Sequence, residues 1–510
     1  MQDKKRLSIN IIAQIVSFAV QFGLNFFLTP FVVSKLGTEA YGFIGLSNTL
    51  ISYAQVLTVA LNSMAGRFIA IEFHKGNTKG ANRFFTSVFY ANVVMSVLLG
   101  MLSIGCVLYL EYLIHIPSNL VVDVKLLFSL LVCNFLISII FSVYNVATFI
   151  KNRLDYVAVR SIVSNIIRAC LLLFLFSLFA PMLWYIGLGS VVCTIYISLV
   201  NIRYKRLLTP ELGINYTSFN VKDIKTVTKA GVWNSISRLS NIIEQGFDLL
   251  LANLFISAFA MGQLAITKQI PVIVLTFMHL IGSAFAPSLT QSYARESVND
   301  MKKELVLSVK LMGFFAIIPL CFIFGFMDVF YELWLPGQNY KELYILTTIS
   351  CSFFPILLSL EGVQNLWPIL NRVKGYSMAS IIMSCCTFIL LLSGLFFIPD
   401  CYRIYYLVSV SAFNNILFTL LFIPIYASKC LNVNKTFFYP TIAKVLLAVF
   451  IVVIISLCIK MNIYIHSWGM LILCGFIQTL LCVVIGVFFI WNKGERFSLI
   501  TLIRSRLINK

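Results

Sequence analysis

Apolar residues run along this chain in blocks of twenty and more, separated by short polar breaks and without two-residue alternation. Blocks of that length cross about 30 Å of hydrocarbon as helix. A membrane barrel would instead alternate apolar and polar positions. Breaking the chain at polar or charged clusters predicts spans at 9–33, 41–66, 84–110, 124–150, 156–179 and 182–201. After a polar stretch they resume at 231–257, 262–290, 305–330, 343–370, 376–397, 404–427, 441–460 and 468–491. The expected fold class is an all-α integral membrane protein with about 14 transmembrane helices. The longest polar segment, RYKRLLTPELGINYTSFNVKDIKTVTK (203–229), separates the sixth span from the seventh. It reads as a linker between two halves, with room for a helix lying along the membrane surface.

Composition strengthens this picture. Hydrophobic residues make up 60% of the chain and charged residues 11%, with a mean hydropathy of +0.94; a water-soluble domain carries about 25% charged residues. The formal charge of +19 would point to nucleic acid in a soluble protein. Here its placement gives another reason. With a cytoplasmic N-terminus, 29 of the 38 Lys and Arg residues fall in the termini and cytoplasmic loops. Only Lys35, Lys125, Lys341, Arg403 and Lys460 fall on the opposite side, and Arg160, Arg168, Arg238 and Lys268 lie within spans. That is the asymmetry of the positive-inside rule. It puts both termini in the cytoplasm and requires no nucleic-acid partner. The 13 Cys residues lie mostly in apolar runs without CxxC spacing, and read as small core residues, not metal ligands or a disulfide framework. The N-terminus, MQDKKRLSIN, lacks a small-residue cleavage site, so the first span is expected to be retained.

A repeat divides the chain. Gln14, Ser17, Gln21 and Asn25 of the first span recur, 220 residues on, as Asn234, Ser237, Asn241 and Gln245 of the seventh. The match continues with Gly42 against Gly262 and Asn48 against Lys268. Spacings of three and four place each set on one helical face. Both copies start from the same side, as in parallel repeats of transporters, whose substrate sites lie near the repeat interface. These stripes read as a polar cavity lining, or alternatively as glue between helices.

Charge inside a bilayer is costly and so marks function. In the seventh span Arg238, Glu244 and Asp248 lie along or beside the polar face. Glu244 and Asp248 are one turn apart, and two carboxylates held close in low dielectric tend to share a proton. They are the candidates for binding a coupling H⁺ or Na⁺; the alternative is an ion pair with Arg238 or Lys268 that holds helices together. In the fifth span Arg168 falls near mid-helix, whereas Arg160 lies close enough to the cytoplasm to snorkel. Arg168, Arg238, Lys268 and Arg160 together would form a cationic lining suited to phosphate. Glu361 beyond Pro355 and His279 beyond Pro271 are weaker candidates, and those prolines, with Pro30 and Pro319, are potential hinges. No nucleophile elbow, phosphate-binding loop or HExxH pattern occurs, and no metal or organic cofactor is expected.

The stretch LTPFVVSKLGTEAYGFIGLSNTLI (28–51), with its Leu36-Gly37 and Tyr41-Gly42 turn, resembles the first-helix region of the polysaccharide-exporter family. The loop RFIAIEFHKGNTKGANRFF (67–85) resembles that family's loop after the second helix. The resemblance implies membership of the multidrug/oligosaccharidyl-lipid/polysaccharide transporter superfamily, nearest its O-antigen (Wzx-type) flippases. It implies two six-helix lobes around a central cavity, over 1–202 and 231–428, with a linker at 203–230 and two further helices and a basic tail over 429–510. The implied activity is flipping of an undecaprenyl-pyrophosphate-linked oligosaccharide, an O-antigen or capsule unit, across the bacterial plasma membrane by alternating access. The implied partners are that lipid-linked cargo, membrane lipids, and glycan polymerases or glycosyltransferases of the same pathway. The rival within the superfamily is a cation-coupled multidrug antiporter, which would favour an acidic cavity. The rival from another class is a polytopic glycan polymerase or ligase, an enzyme that would need a long external loop. An enzyme is not expected, because the external loops are short.

Overall fold

The computed structural model describes the backbone of residues 2–295, 297–491, 494 and 496, and their side chains except at 2–11, 241, 243–246, 294 and 298. Every regular element among them is helical. In chain order these are α1 (Gln2–His74), α2 (Thr78–Leu108), α3 (Leu110–Leu113), α4 (Val121–Phe141), α5 (Val146–Ile150), α6 (Leu154–Leu178) and α7 (Tyr185–Leu208). There follow α8 (Val221–Phe255), α9 (Ala258–Thr267), α10 (Gln269–Ser283), α11 (Ala286–Ala294), α12 (Val298–Trp334) and α13 (Tyr340–Ser350). The remainder are α14 (Phe354–Ser359), α15 (Leu366–Ile369), α16 (Val373–Phe397), α17 (Asp400–Leu417), α18 (Ile423–Cys430), α19 (Tyr439–Asn462) and α20 (Trp468–Ile490).

By length and composition, 11 helices can cross a membrane. One of them is α1, whose 73 residues would stretch about 110 Å if straight, several bilayer cores long. It is two spans, broken at Gly37, where φ is 85° and ψ 167°. A side chain is disfavoured at that φ, and glycine is not. The helix α8 is long enough to cross but carries too many charges to count as apolar, and the segment from α13 to α15 is apolar but broken. With these, the described residues hold the fourteen crossings that hydropathy predicts.

The helices overrun the predicted spans where polar residues extend them into the aqueous layer. The segment 203–229 is mostly helix: α7 continues to Leu208, and α8 starts at Val221, its first turn capped by the Asn220 side chain accepting from Lys222 N at 2.9 Å. The twelve residues between are docked on α2. Gly213 N donates to Asn82 Oδ1 (2.7 Å), Asn82 Nδ2 to Glu211 O (2.9 Å) and Asn220 N to Ser87 Oγ (2.9 Å). Leu212 and Val227 complete a core with Leu61, Ile69 and Phe85.

The chain divides into two compact units, Met1–Ala265 and Ile266–Lys510. In the first, α1 packs on α2, α4, α6 and α8. One of its close approaches is between glycines matched by the 220-residue repeat. A Cβ on Gly42 would lie 2.8 Å from Gly262 Cα, and one on Gly262 would strike the Thr38 carbonyl. Small residues at a membrane interface let backbones come this close. In the second unit, α12 is the axis, packed by α13, α14, α19 and α20. It runs unbroken through Pro319, as α1 does through Pro30, whereas Pro355 lies in the first turn of α14. The predicted tenth span is therefore not one helix. It is α13, then α14, a 3-10 turn over Glu361–Asn365, and α15, buried among Leu305, Ile356, Trp367 and Ile423. Irregular backbone at membrane depth is tolerated where protein surrounds it.

Replacing Gly262 by Leu is expected to lower the yield of monodisperse protein in detergent severalfold, because the side chain meets backbone that cannot yield, an overpacking cost of about 1–3 kcal/mol or more. Gel filtration of a tagged variant measures this. A wild-type profile would contradict the close packing of α1 on α9.

Candidate functional site

Helix α6 carries two arginines inside a span, eight residues and therefore about 12 Å apart. Arg160 is buried, at 8% exposure, and its Nη1 has no hydrogen-bond partner. Arg168 is half-buried and donates through Nη2 to Asn25 Oδ1 of α1 at 2.6 Å, while its Nε is buried without a partner. Its stem packs over Gly189 of α7, where a Cβ would lie 3.4 Å from Arg168 Cγ. Among the described residues neither guanidinium has a carboxylate partner. Arginine does not deprotonate in proteins, and a charge at mid-membrane costs about 2.5–3.5 kcal/mol even on the mildest scale. The two guanidinium groups on this helix thus keep their charge without a counter-ion among the described residues.

Beside Arg160 lies an aromatic pair that sequence reasoning did not single out. Tyr156 of α6 and Tyr204 of α7 have ring centroids 4.8 Å apart, and the Arg153 guanidinium sits 3.7 Å from the Tyr156 centroid, held by Asp155 at 2.8 Å. The visible signal was the tyrosine one turn before Arg160. Its partner comes from another helix, which sequence spacing does not reveal.

The polar stripes have distinct partners. In the first span, Asn25 receives Arg168, Gln14 Nε2 reaches Leu154 O at 3.4 Å, Ser17 is buried and Gln21 is exposed. In the seventh, Asn234 Nδ2 donates to Ser63 Oγ at 3.1 Å, and exposed Arg238 reaches Gln55 Oε1 at 3.5 Å. Asp248 is buried at 7% exposure, close to Tyr53, which stacks on Phe247 at 5.3 Å. The side chains of Asn241, Glu244 and Gln245 lie outside the described residues. Arg160, Arg168 and Arg238 belong to the first unit. Lys268 belongs to the second, half-buried where α9 gives way to α10.

The second unit joins two residues that the sequence offered separately. His279 Nδ1 of α10 lies 2.7 Å from Glu361 Oε1, and Gln364 Nε2 donates to Glu361 Oε2 at 2.9 Å. Two further intramembrane charges escaped notice. Lys310, assigned from sequence to the cytoplasmic side, is buried in α12 at 6% exposure. Asp328 pairs with Lys460 at 2.8 Å. Among the described residues no group of His, Cys, Asp and Glu side chains is arranged to hold a metal ion.

No protein-family model matches the chain. It is 26% identical to an uncharacterized membrane protein, EpsK, of Bacillus subtilis (strain 168), over 96% of this chain and 97% of that protein. Its fold is shared with transporters of the MOP superfamily. A multidrug-resistance MATE family transporter in an inward-facing conformation superposes with a TM-score of 0.67 at 13% identity, covering 84% of this chain and 97% of that one. The lipid II flippase MurJ, in an inward closed conformation, superposes with a TM-score of 0.63 at 12% identity, covering 94% of this chain and 98% of the flippase. A MOP superfamily transporter from Pyrococcus furiosus, described as having a binding pocket of reverse polarity, gives 0.61 at 13% identity, with 84% and 96% covered. This chain is a multi-pass membrane protein with that fold.

Unpaired charges at a site destabilise the protein that carries them. Arg160→Met and Arg168→Met should therefore each raise the unfolding temperature in detergent, by about 2 °C or more. A thermal melt of the purified protein measures this. A lower Tm in both would show that the arginines hold the helices together.

Proposed function

We propose that this protein is a flippase that carries an undecaprenyl-pyrophosphate-linked oligosaccharide across the bacterial plasma membrane, both termini being cytoplasmic. The observation that carries the reading is the pair of guanidinium groups on α6, one buried and one half-buried, each with a buried nitrogen that lacks a partner and neither with a carboxylate partner among the described residues. A pyrophosphate supplies the missing counter-charge, and an arginine fork binds phosphate oxygens in a geometry lysine cannot match. The Tyr156–Tyr204 pair beside Arg160 offers apolar ring faces of the kind on which sugars rest. Arg238 and Lys268 extend the cationic character of the two units, and the polyprenyl tail stays in lipid.

The fold supports transport over enzymatic chemistry, since the solved structures it resembles are transporters and a flippase. It also leans towards a flippase. The flippase structure covers ten percentage points more of this chain than the MATE structure does, about 50 residues of 510. That is roughly the combined length of α19 and α20. A multidrug antiporter for cationic drugs would be poorly served by arginines without counter-ions. Translocation follows from differential affinity: cargo that neutralises the site in one conformation shifts the equilibrium between inward-open and outward-open forms.

In a cell whose surface glycan depends on this protein, Arg160→Gln with Arg168→Gln, at wild-type expression, should cut surface glycan at least tenfold. Lipid-linked precursor should accumulate inside. Immunoblotting of surface glycan and extraction of lipid-linked intermediates measure the two. Undiminished glycan would overturn the cationic site.

A further inference from the structure

The pair formed by His279 and Glu361 is one of several ties between its helices. The 3-10 turn is already tied to α10 by Asn365 Nδ2 donating to Gly282 O at 2.9 Å, and by Gly282 packing against Glu361, where a Cβ would lie 3.0 Å from Glu361 Cγ. The Glu361 side chain is 9% exposed, yet that of His279 is 75% exposed. A buried carboxylate thus has an exposed imidazole as its partner, within the eighth predicted span. Both carboxylate oxygens have hydrogen-bond partners: Gln364 Nε2 donates to Oε2, and His279 Nδ1 shares a hydrogen bond with Oε1.

We propose that His279 and Glu361 form the proton-binding site through which this protein is driven by the transmembrane proton gradient; the proposal rests on the chain being a transporter. With Nδ1–H donating to Glu361, the neutral imidazole and the carboxylate carry a net charge of −1. A proton entering from the accessible side binds Nε2, giving an imidazolium–carboxylate pair of net charge zero. No other bond is made or broken, and the return step releases the same proton. A net-neutral pair is far cheaper than a lone carboxylate in a low-dielectric bundle, so protonation permits a conformation in which the site is closed off. An imidazole nitrogen beside one carboxylate suits a proton and not Na⁺, which takes hard oxygen ligands as Ca²⁺ and Mg²⁺ do.

Other charges on the packed elements are placed differently. On α12, Ser308 adjoins Gly362 of the turn, with Glu304 one helical turn before it, accepting from Ser292 at 3.0 Å. Lys310 is buried on the same helix, and Asp328 pairs with Lys460 near its end. On α10 His279 has no other charged neighbour, the nearest being the N-cap Lys268, eleven residues before it. The helices α11, α14 and α15 bring no Lys, Arg, His, Asp or Glu.

The chain has four histidines, which makes the test direct. Full-length protein labelled at the imidazole nitrogens, in lipid nanodiscs, gives an assignable His279 signal as the one lost in His279→Asn. Glu361→Gln, which keeps volume and hydrogen bonding, should shift the His279 titration midpoint by about one pH unit or more and leave the other three in place. An unmoved midpoint overturns the proposal. In proteoliposomes, with an undecaprenyl-pyrophosphate-linked monosaccharide as probe, an imposed pH gradient should speed wild-type translocation at least fivefold and should not speed Glu361→Gln or His279→Asn. If wild type and Glu361→Gln move the lipid and respond equally to the gradient, coupling at this pair is refuted while transport stands. If wild-type protein moves no lipid under any gradient, the transport reading itself fails, and the coupling role with it.

Discussion

A guanidinium in hydrocarbon can reach the headgroups, find a carboxylate, or wait for an anion. Arg168 meets a neutral amide oxygen, that of Asn25, and part of its guanidinium remains buried and unpartnered. One hydrogen bond orients the group without discharging it, which is the arrangement our proposed function uses to hold an anionic cargo. Much of the first unit serves that arrangement. The break at Gly37 divides α1 into a first half that presents Asn25 to α6 and a second half that packs against α8. Gly189 lets the arginine stem lie close against α7. Without the turn at Gly37, one straight helix could not serve both partners within a single bilayer.

The second unit handles charge differently. Instead of an unpaired cation it holds a buried carboxylate, supplied by a helix that loses its regularity between α13 and α16. Pro355 starts a new helical piece, and Gly362 allows the turn to approach Ser308 of α12. The backbone that results places Glu361 against His279. Arginines without carboxylate partners in one unit and the proton-binding pair proposed in the other are the two elements a gradient-driven carrier of anionic cargo requires.

Fold class and crossings were legible because the bilayer imposes a length and an apolar composition on each helix. The breaks were less legible. Gly37 sits in a segment that reads as an ordinary loop, and only the positive φ shows a one-residue hinge in continuous helix. Segment 343–370 reads as a single span because hydropathy is blind to backbone breaks, although Pro355 marked where one occurs. The 220-residue repeat carried more than its polar stripe suggested, since Gly42 and Gly262 meet each other directly. Arg160 and Arg168 were visible as costly charges. Asn25 as the partner of Arg168, and Glu361 as that of His279, were not, because contacts across 143 and 82 residues leave no trace in local spacing. Lys310 was misplaced because proximity to a predicted span end says nothing about burial.

The central claim is that the α6 arginines recognise the anionic head of a polyprenyl lipid. Binding of undecaprenyl pyrophosphate to purified protein in nanodiscs, compared with undecaprenol, measures it most directly. The account predicts that the diphosphate binds at least tenfold more tightly than the alcohol, and that Arg160→Gln with Arg168→Gln abolishes the difference. Equal affinity for the two lipids, or a preference that survives loss of both arginines, would contradict it.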